Sequence, residues 1–329
     1  MTTLLLSHRL ASAHAGDIER LCRELGHDVR IITLPQDPEG RLSEDVCASV
    51  ETAFFSHDIH PTHSRQFFST VRKAPKLNWL QVFNAGVDHP IFTEMIERGA
   101  RVTTSAGAGA VPIAHTAICG LLMLSRNMPR WLAAQREHKW DPMRGSETPA
   151  DLRGETAVIL GMGHIGAEFA RIAKALGMTV IGIRRSPRTA DDPVDEMHTP
   201  EHFPELLPRA DWLVIAAPLT AETRKLVNAE VLSRLRPEAR LINVARGEIV
   251  DEQALTEALR SGRLAGAYLD VFEQEPLPPE SPLWDMPDVI VTPHNSSASL
   301  GNDERVYEIF IDNLRRYLRG ETLLNEVKL

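Results

Sequence analysis

Cysteine is scarce in this 329-residue chain: Cys22, Cys47 and Cys119 stand far apart and form no CxxC pair. An odd, scattered set supports neither a disulfide framework nor a cysteine zinc site, and it suits a reducing cytoplasm. Long apolar runs are also missing. The opening MTTLLLSHRL is too short for a signal-peptide core, and no stretch approaches the roughly 20 apolar residues of a membrane span. A basic excess is lacking too. With a net charge of −9 and a pI near 5.8, the chain is not expected to bind nucleic acid. No repeat of solenoid length and no low-complexity tract occurs. Among 13 histidines, His57, His60 and His63 lie close in sequence. They have no cysteine or patterned carboxylates beside them, so no metal is expected. What is present is ordinary: 43% hydrophobic and 25% charged residues, in a chain long enough for two domains.

Hydrophobic periodicity sketches those domains. Strands are predicted at Thr3–Leu6, Val29–Leu34, Thr52–Phe55, Trp79–Phe83 and Arg101–Thr104. Helical spacing lies between them at Asp17–Leu25, Glu44–Val50, Ser64–Lys73 and Ile91–Arg98. A long apolar helix is predicted from Pro112 to Asn127, and the charged stretch Gln135–Leu152 reads as a connection. A second alternating series follows. Its strands are Thr156–Leu160, Thr179–Ile183, Trp212–Ala216, Arg240–Val244, Ala265–Asp270 and Val289–Thr292, and a last helix spans Asp303–Arg319. Such alternation predicts an α/β fold of parallel sheets with helices on both faces.

One loop in the second series carries a chemical meaning. GMGHIG follows the strand Thr156–Leu160 and opens the next helix, with Gly161, Gly163 and Gly166 at G-x-G-x-x-G spacing and His164 and Ile165 between them. In that context the glycines allow a tight turn, a close approach of a pyrophosphate and close helix–strand packing. The helix N-terminus offers free N–H groups to the phosphates. At the end of the next strand an NAD site usually has an acid for the ribose 2′-hydroxyl. Here that strand runs into Arg184, Arg185 and Ser186, followed by Pro187 and Arg188, with no acid before Asp191. Guanidinium groups suit a 2′-phosphate. The expected cofactor is NADP in preference to NAD.

The stretches LRGETAVILGMGHIGAEFARIAKALGM, ADWLVIAAPLTAETRKLVN, LINVARGEIVDEQALTEAL, GAYLDVFEQEPLP and VTPHNSSAS occur in that order. Together they resemble the D-isomer-specific 2-hydroxyacid dehydrogenase family over nearly the whole chain. The basic strand end is similar to its NADPH-using glyoxylate/hydroxypyruvate reductase branch. The resemblance implies two Rossmann-like/flavodoxin-like parallel-sheet domains separated by a cleft that closes on substrate. They would comprise a substrate-binding domain over 1–103, a dinucleotide-binding domain over 104–295 and a segment 296–329 returning to the first. It also implies a homodimer, and hydride transfer between NAD(P)H and a small 2-keto or 2-hydroxy acid.

The residues themselves fit such chemistry. A keto carbon that receives hydride becomes an alkoxide and needs a placed acid. His294 is suited to that task, with Glu275 as the carboxylate that favours its charged form. Arg246 offers a forked cation to a substrate carboxylate. The resemblance assigns the same three residues these roles. It further implies that Gly86 and Val87, in NAGVDH, bind the substrate carboxylate through backbone N–H groups. Asp270 would hold the nicotinamide carboxamide, with Ala217, Pro218, Thr223 and Ala245 lining the cofactor. The chain departs from the family pattern at Ala114-His115-Thr116, where Glu-His often follows the alanine, and in the polar run Asn295-Ser296-Ser297. Two other readings use the same motifs: a dinucleotide-sensing corepressor, for which disordered tails are lacking, and a phosphite dehydrogenase-like enzyme.

Overall fold

The computed structural model describes residues 1–87 and 89–328. The chain divides into two compact units, one formed by Met1–Ala108 with Ser299–Leu329 and the other by Gly109–Ala298.

In the first unit β1 (Thr2–Leu6), α1 (His8–Glu24), β2 (Val29–Thr33), α2 (Glu44–Ala48), β3 (Thr52–Phe55), α3 (Ser64–Arg72), β4 (Trp79–Val82), α4 (Pro90–Glu97) and β5 (Arg101–Thr104) follow one another. The sheet is parallel throughout, in the order β2-β1-β3-β4-β5, which is the flavodoxin-like arrangement. Side chains alternate across a strand, so consecutive residues feed opposite faces. Leu5, Ala53 and Phe55 enter one buried cluster, while Leu4, Leu6 and Phe54 enter the other. Helix α1 begins well before the predicted Asp17, because the Ser7 hydroxyl caps it by accepting from Leu10 N–H at 2.9 Å.

The second unit contains α5 (Ala110–Ser125), α6 (Met128–Arg136), β6 (Thr156–Leu160), α7 (His164–Ala175), β7 (Thr179–Ile183), β8 (Glu196–His198), α8 (Phe203–Leu206), β9 (Trp212–Ile215), α9 (Ala229–Arg234), β10 (Arg240–Asn243), α10 (Glu252–Arg260), β11 (Gly266–Leu269) and β12 (Val289–Val291). Its seven parallel strands run β12-β11-β10-β9-β6-β7-β8. The strand order reverses between β6 and β9, which makes the crevice there the place where an open α/β sheet takes its ligand. Strand β8 and helix α6 were not predicted. Three residues, EMH, at a sheet edge carry no readable period. Helix α6 follows a left-handed Asn127 and has Pro129 in its first turn, features that in sequence read as a loop.

Helix α11 (Asn302–Leu318) returns to the first unit. Phe310 stacks on Phe54 with ring centroids 4.4 Å apart. Asn313 is fully buried, and its Nδ2 donates to Gln81 Oε1 at 3.0 Å. That oxygen also accepts from Thr103 Oγ1 at 2.7 Å, whose own oxygen accepts from Trp79 Nε1 at 2.7 Å. Removing one partner from such a buried network costs about 1–3 kcal/mol. No helix among the described residues is long and apolar enough to cross a membrane.

Candidate active site

Each glycine of GMGHIG has a separate physical reason to be glycine. Gly161 has φ +101°, and a Cβ on it would lie 2.4 Å from Ala217 N, beyond the end of β9. A Cβ on Gly166 would sit 2.1 Å from the Gly161 carbonyl oxygen, so α7 packs directly on the turn. Gly163 is different: a Cβ there would meet nothing within 4 Å. The open space lies at the N-cap of α7, where no side chain caps the first turn. Unspent N–H groups and an exposed, side-chain-free approach at a strand-order reversal fit a pyrophosphate.

Beyond β7 the basic loop is less uniform than its sequence. Arg184 gives Nη1 and Nη2 to the two oxygens of Asp192, at 2.6 and 2.5 Å, and its Nε to Ser186 O at 3.1 Å. The Arg184 guanidinium, with the Thr189 amide, holds the Asp192 carboxyl below the usual carboxylate range. Arg188 donates to the carbonyls of Val194 and Asp195, at 2.6 and 2.9 Å. Arg185 and Ser186 stay exposed. The Thr220 hydroxyl is the main group holding the Glu222 carboxyl low, and the Arg185 charge adds to it, which puts Arg185 within electrostatic reach of the loop after β9. In that loop Thr223 Oγ1 donates to Pro218 O at 2.8 Å and accepts from Thr220 N–H at 2.7 Å.

At the other end of the sheet, the loops after β10, β11 and β12 carry Arg246, Glu275 and His294. His294 Nδ1 lies 2.7 Å from Glu275 Oε2. A carboxylate accepts only, so Nδ1 carries the hydrogen and Nε2 is the ring nitrogen left to exchange a proton with a substrate. Glu275 is oriented in turn, its Oε1 accepting from Phe272 N–H at 3.1 Å. The Arg246 loop is pressed against this one: a Cβ on Gly247 would fall 1.9 Å from the Phe272 carbonyl carbon. Arg246 is half-buried and donates from Nη1 to the Ala245 carbonyl at 2.8 Å. Two reciprocal bonds of 3.0 Å, Glu252 N–H to Glu273 Oε1 and Glu273 N–H to Glu252 Oε2, tie the Glu275 loop to the start of α10.

Asp270 is 1% exposed, and its carboxylate turns to the His294 loop. Oδ1 accepts from Thr292 Oγ1 at 2.6 Å and from Asn295 N–H at 3.1 Å, and Oδ2 accepts from Ser296 N–H at 3.2 Å. Its backbone carbonyl accepts from His294 N–H at 2.8 Å. His294 sits at φ +49°, a conformation that costs a residue with a Cβ roughly 1–2 kcal/mol. The surrounding bonds hold it there.

Sequence reasoning did not find Asn243, Thr292, Tyr268 or Asp192. Asn243 is buried at the end of β10, donating to the Arg246 carbonyl at 3.0 Å and accepting from Ala245 N–H at 3.1 Å. A polar residue ending the strand RLIN, two residues before Ala-Arg-Gly, was the available clue. In the first unit Gly86 and Val87 occupy the loop after β4, where Asn84 Nδ2 donates to the Gly86 carbonyl. The three clustered histidines have separate neighbours: His57 meets Asp303 at 3.2 Å, His60 meets Ser64 at 3.4 Å and His63 meets Gln66 at 3.2 Å.

Comparison with known proteins agrees with this geometry. Residues 118–296 match the family model described as D-isomer specific 2-hydroxyacid dehydrogenase, NAD binding domain. A glyoxylate reductase of Korarchaeum cryptofilum is 37% identical over 257 residues, 75% of each chain. An (S)-sulfolactate dehydrogenase of Chromohalobacter salexigens is 31% identical over 97% of this chain and 99% of its own. A solved D-isomer specific 2-hydroxyacid dehydrogenase from Xanthobacter autotrophicus Py2, in complex with NADPH and MES, is 31% identical with a TM-score of 0.77, covering 99% of this chain and 98% of its own. The chain belongs to the D-isomer-specific 2-hydroxyacid dehydrogenase family. It is an oxidoreductase that uses a nicotinamide dinucleotide to interconvert 2-keto and 2-hydroxy acids. Neither the corepressor nor the phosphite reading is favoured by these likenesses.

Proposed function

We propose that the enzyme reduces a small 2-keto acid of the glyoxylate or hydroxypyruvate kind to the D-2-hydroxy acid, using NADPH in preference to NADH. The observation that carries the reading is the 2.7 Å pair between His294 Nδ1 and Glu275 Oε2, set one loop from Arg246. When bound, the reduced dinucleotide supplies the hydride. Arg246 draws the substrate carboxylate and carbonyl oxygen to itself by forked N–H donation, polarising the carbonyl. His294 gives the Nε2 proton to the oxygen as charge develops on it, while Glu275 keeps the ring turned and its positive charge compensated. The amides of Gly86 and Val87 are assigned to the substrate carboxylate, and the unit formed by residues 1–108 and 299–329 to substrate binding. On the cofactor, Gly161, Gly163, His164, Ile165 and Gly166 receive the pyrophosphate. Ala217, Pro218, Thr223 and Ala245 are assigned to the lining of the cofactor, and the spare acceptor capacity of Asp270 Oδ2 suits a carboxamide donor.

Arg185 and Ser186 are the groups we assign to a 2′-phosphate, since both are exposed at the edge of the dinucleotide crevice. Arg184 contributes by holding their loop in place through Asp192. The substrate remains a class, because one full-length relative carries a sulfolactate name and another relative a glyoxylate name. The assay is NADPH and NADH oxidation with glyoxylate, hydroxypyruvate, pyruvate, phenylpyruvate and sulfopyruvate. His294→Gln is expected to lower kcat by about a thousandfold with cofactor affinity nearly intact. A loss of tenfold or less removes histidine from proton transfer.

The working form is proposed to be a homodimer built on α5 and α6. Val111, Leu122, Trp131 and Leu132 leave an apolar surface there, exposed by 36–44%, and Cys119 shares the exposed face of α5 with Val111 and Leu122. Sedimentation should give twice the 36.6 kDa chain mass, and Cys119 should react with a thiol reagent only once the dimer is dissociated. A 36.6 kDa species with one fast-reacting thiol refutes this.

A further inference from the structure

We infer that Tyr268 and Thr292 are positioning residues for His294, acting through Asp270; this rests on the reading of His294 as proton donor. Tyr268 belongs to β11 and is 2% exposed, and its hydroxyl lies 2.7 Å from Thr292 Oγ1. Thr292 Oγ1 lies 2.6 Å from Asp270 Oδ1. The direction of the chain follows from hydrogen counting. A carboxylate oxygen only accepts, so the single hydroxyl hydrogen of Thr292 goes to Asp270, and Tyr268 must donate to Thr292. The result is one oriented run, Tyr268 O–H to Thr292 O–H to Asp270 Oδ1. It ends on the residue whose carboxylate and carbonyl hold Asn295, Ser296 and the left-handed His294.

The origin of this run is itself immobilised. A Cβ on Gly120 of α5 would meet Tyr268 Cγ at 2.4 Å and Cδ2 at 2.7 Å. The tyrosine ring is therefore pressed on helix backbone that carries no side chain at that point. Burial, above all, pushes the Tyr268 hydroxyl up to about 12, so it stays a donor over the working range of pH. Helix α5 also touches the loop it steadies, since Thr116 Oγ1 lies 3.4 Å from the Ser296 carbonyl. None of the hydrogen bonds of this run involves the histidine Nε2. Its effect is to fix where the Thr292–Ser296 segment sits, and thereby the aim of the imidazole. A displacement of about 1 Å is enough to cost catalysis roughly a hundredfold.

The test uses the full-length enzyme. Thr292→Val keeps the shape but removes the hydroxyl, and it is expected to lower kcat about tenfold to a hundredfold, with KM for the reduced dinucleotide changed less than about twofold. Thr292→Ser should restore most of the loss. Tyr268→Phe keeps the ring and should lower kcat about threefold to tenfold. In a His294→Gln background Tyr268→Phe should have no further effect on kcat, because a misaimed donor matters only while the donor is present. Without cofactor, the imidazole NMR resonance that disappears in His294→Gln should be shifted in Tyr268→Phe. The inference is overturned if Tyr268→Phe leaves both kcat and that resonance at wild-type values, or if its effect adds fully to that of His294→Gln. If Thr292→Val does not fold, Tyr268→Phe alone decides. If His294→Gln itself leaves kcat near wild type, the proton-donor reading has failed instead. A fall on Tyr268→Phe that then adds to the His294→Gln value overturns the positioning role and assigns the hydroxyl a structural one.

Discussion

Two loops of the seven-stranded sheet are both expected to meet the cofactor, yet they are built in opposite ways. The loop after β12, with His294, is over-determined: a buried carboxylate, two hydroxyls and several backbone amides fix the loop, and a neighbouring glutamate fixes the histidine ring. The loop after β7 spends Arg184, through Asp192, and Arg188, through the Val194 and Asp195 carbonyls, on its own shape, and leaves Arg185 and Ser186 in solvent. Proton transfer fails steeply with misplacement, so its donor must be preorganised. Recognition of a doubly charged phosphate tolerates mobile side chains, because a charge acts over several ångströms and the ligand completes the geometry.

The contrast predicts unequal responses to single changes. On the fixed side Glu275→Gln keeps an oxygen for the Phe272 amide but withdraws the charge facing the imidazole. It should lower kcat for keto-acid reduction about tenfold to a hundredfold, with the loop still folded. Steady-state kinetics together with thermal unfolding would check this. A variant that loses stability but not turnover would mean that Glu275 serves the loop and not the histidine.

How much of this was readable beforehand depends on the range of the interaction. GMGHIG is a local device: a turn, an approach and a packing contact within one βαβ unit, so its spacing between a predicted strand and a predicted helix pointed to the crevice. Arg246, Glu275 and His294 stood out because each lies in a loop that follows a strand and in a familiar block. Apart from the edge strand β8, the strands of both sheets were legible because buried parallel strands are continuous apolar runs. What escaped was the support. Thr292 and Tyr268 look in sequence like ordinary strand residues, and only the register of β11 against β12 brings their hydroxyls together. The pairing of Asp192 with Arg184 likewise has no sequence signal, because no local period shows that the chain after Arg188 doubles back. The missed helix α6 had the same cause: its start looks like a loop until Asn127 is seen to turn the chain left-handed.

The smallest expected effect, on the open loop, tests the comparison most sharply, because it separates two neighbouring arginines. If Arg185 meets the 2′-phosphate and Arg184 only braces, Arg185→Ala should raise KM for NADPH about tenfold and leave NADH kinetics within about twofold. A single charge-assisted contact of about 1.5 kcal/mol corresponds to that factor. Arg184→Ala should act differently. It leaves the nearly buried Asp192 carboxylate without its cation, so the loop loosens, both cofactors bind more weakly and the melting temperature falls. Asp192→Asn, which keeps the shape, should show a weaker form of the same pattern. If Arg184→Ala discriminates between the cofactors and Arg185→Ala does not, the bracing arginine must exchange its carboxylate for the phosphate when the cofactor binds, and the two loops are then less different than their geometry makes them.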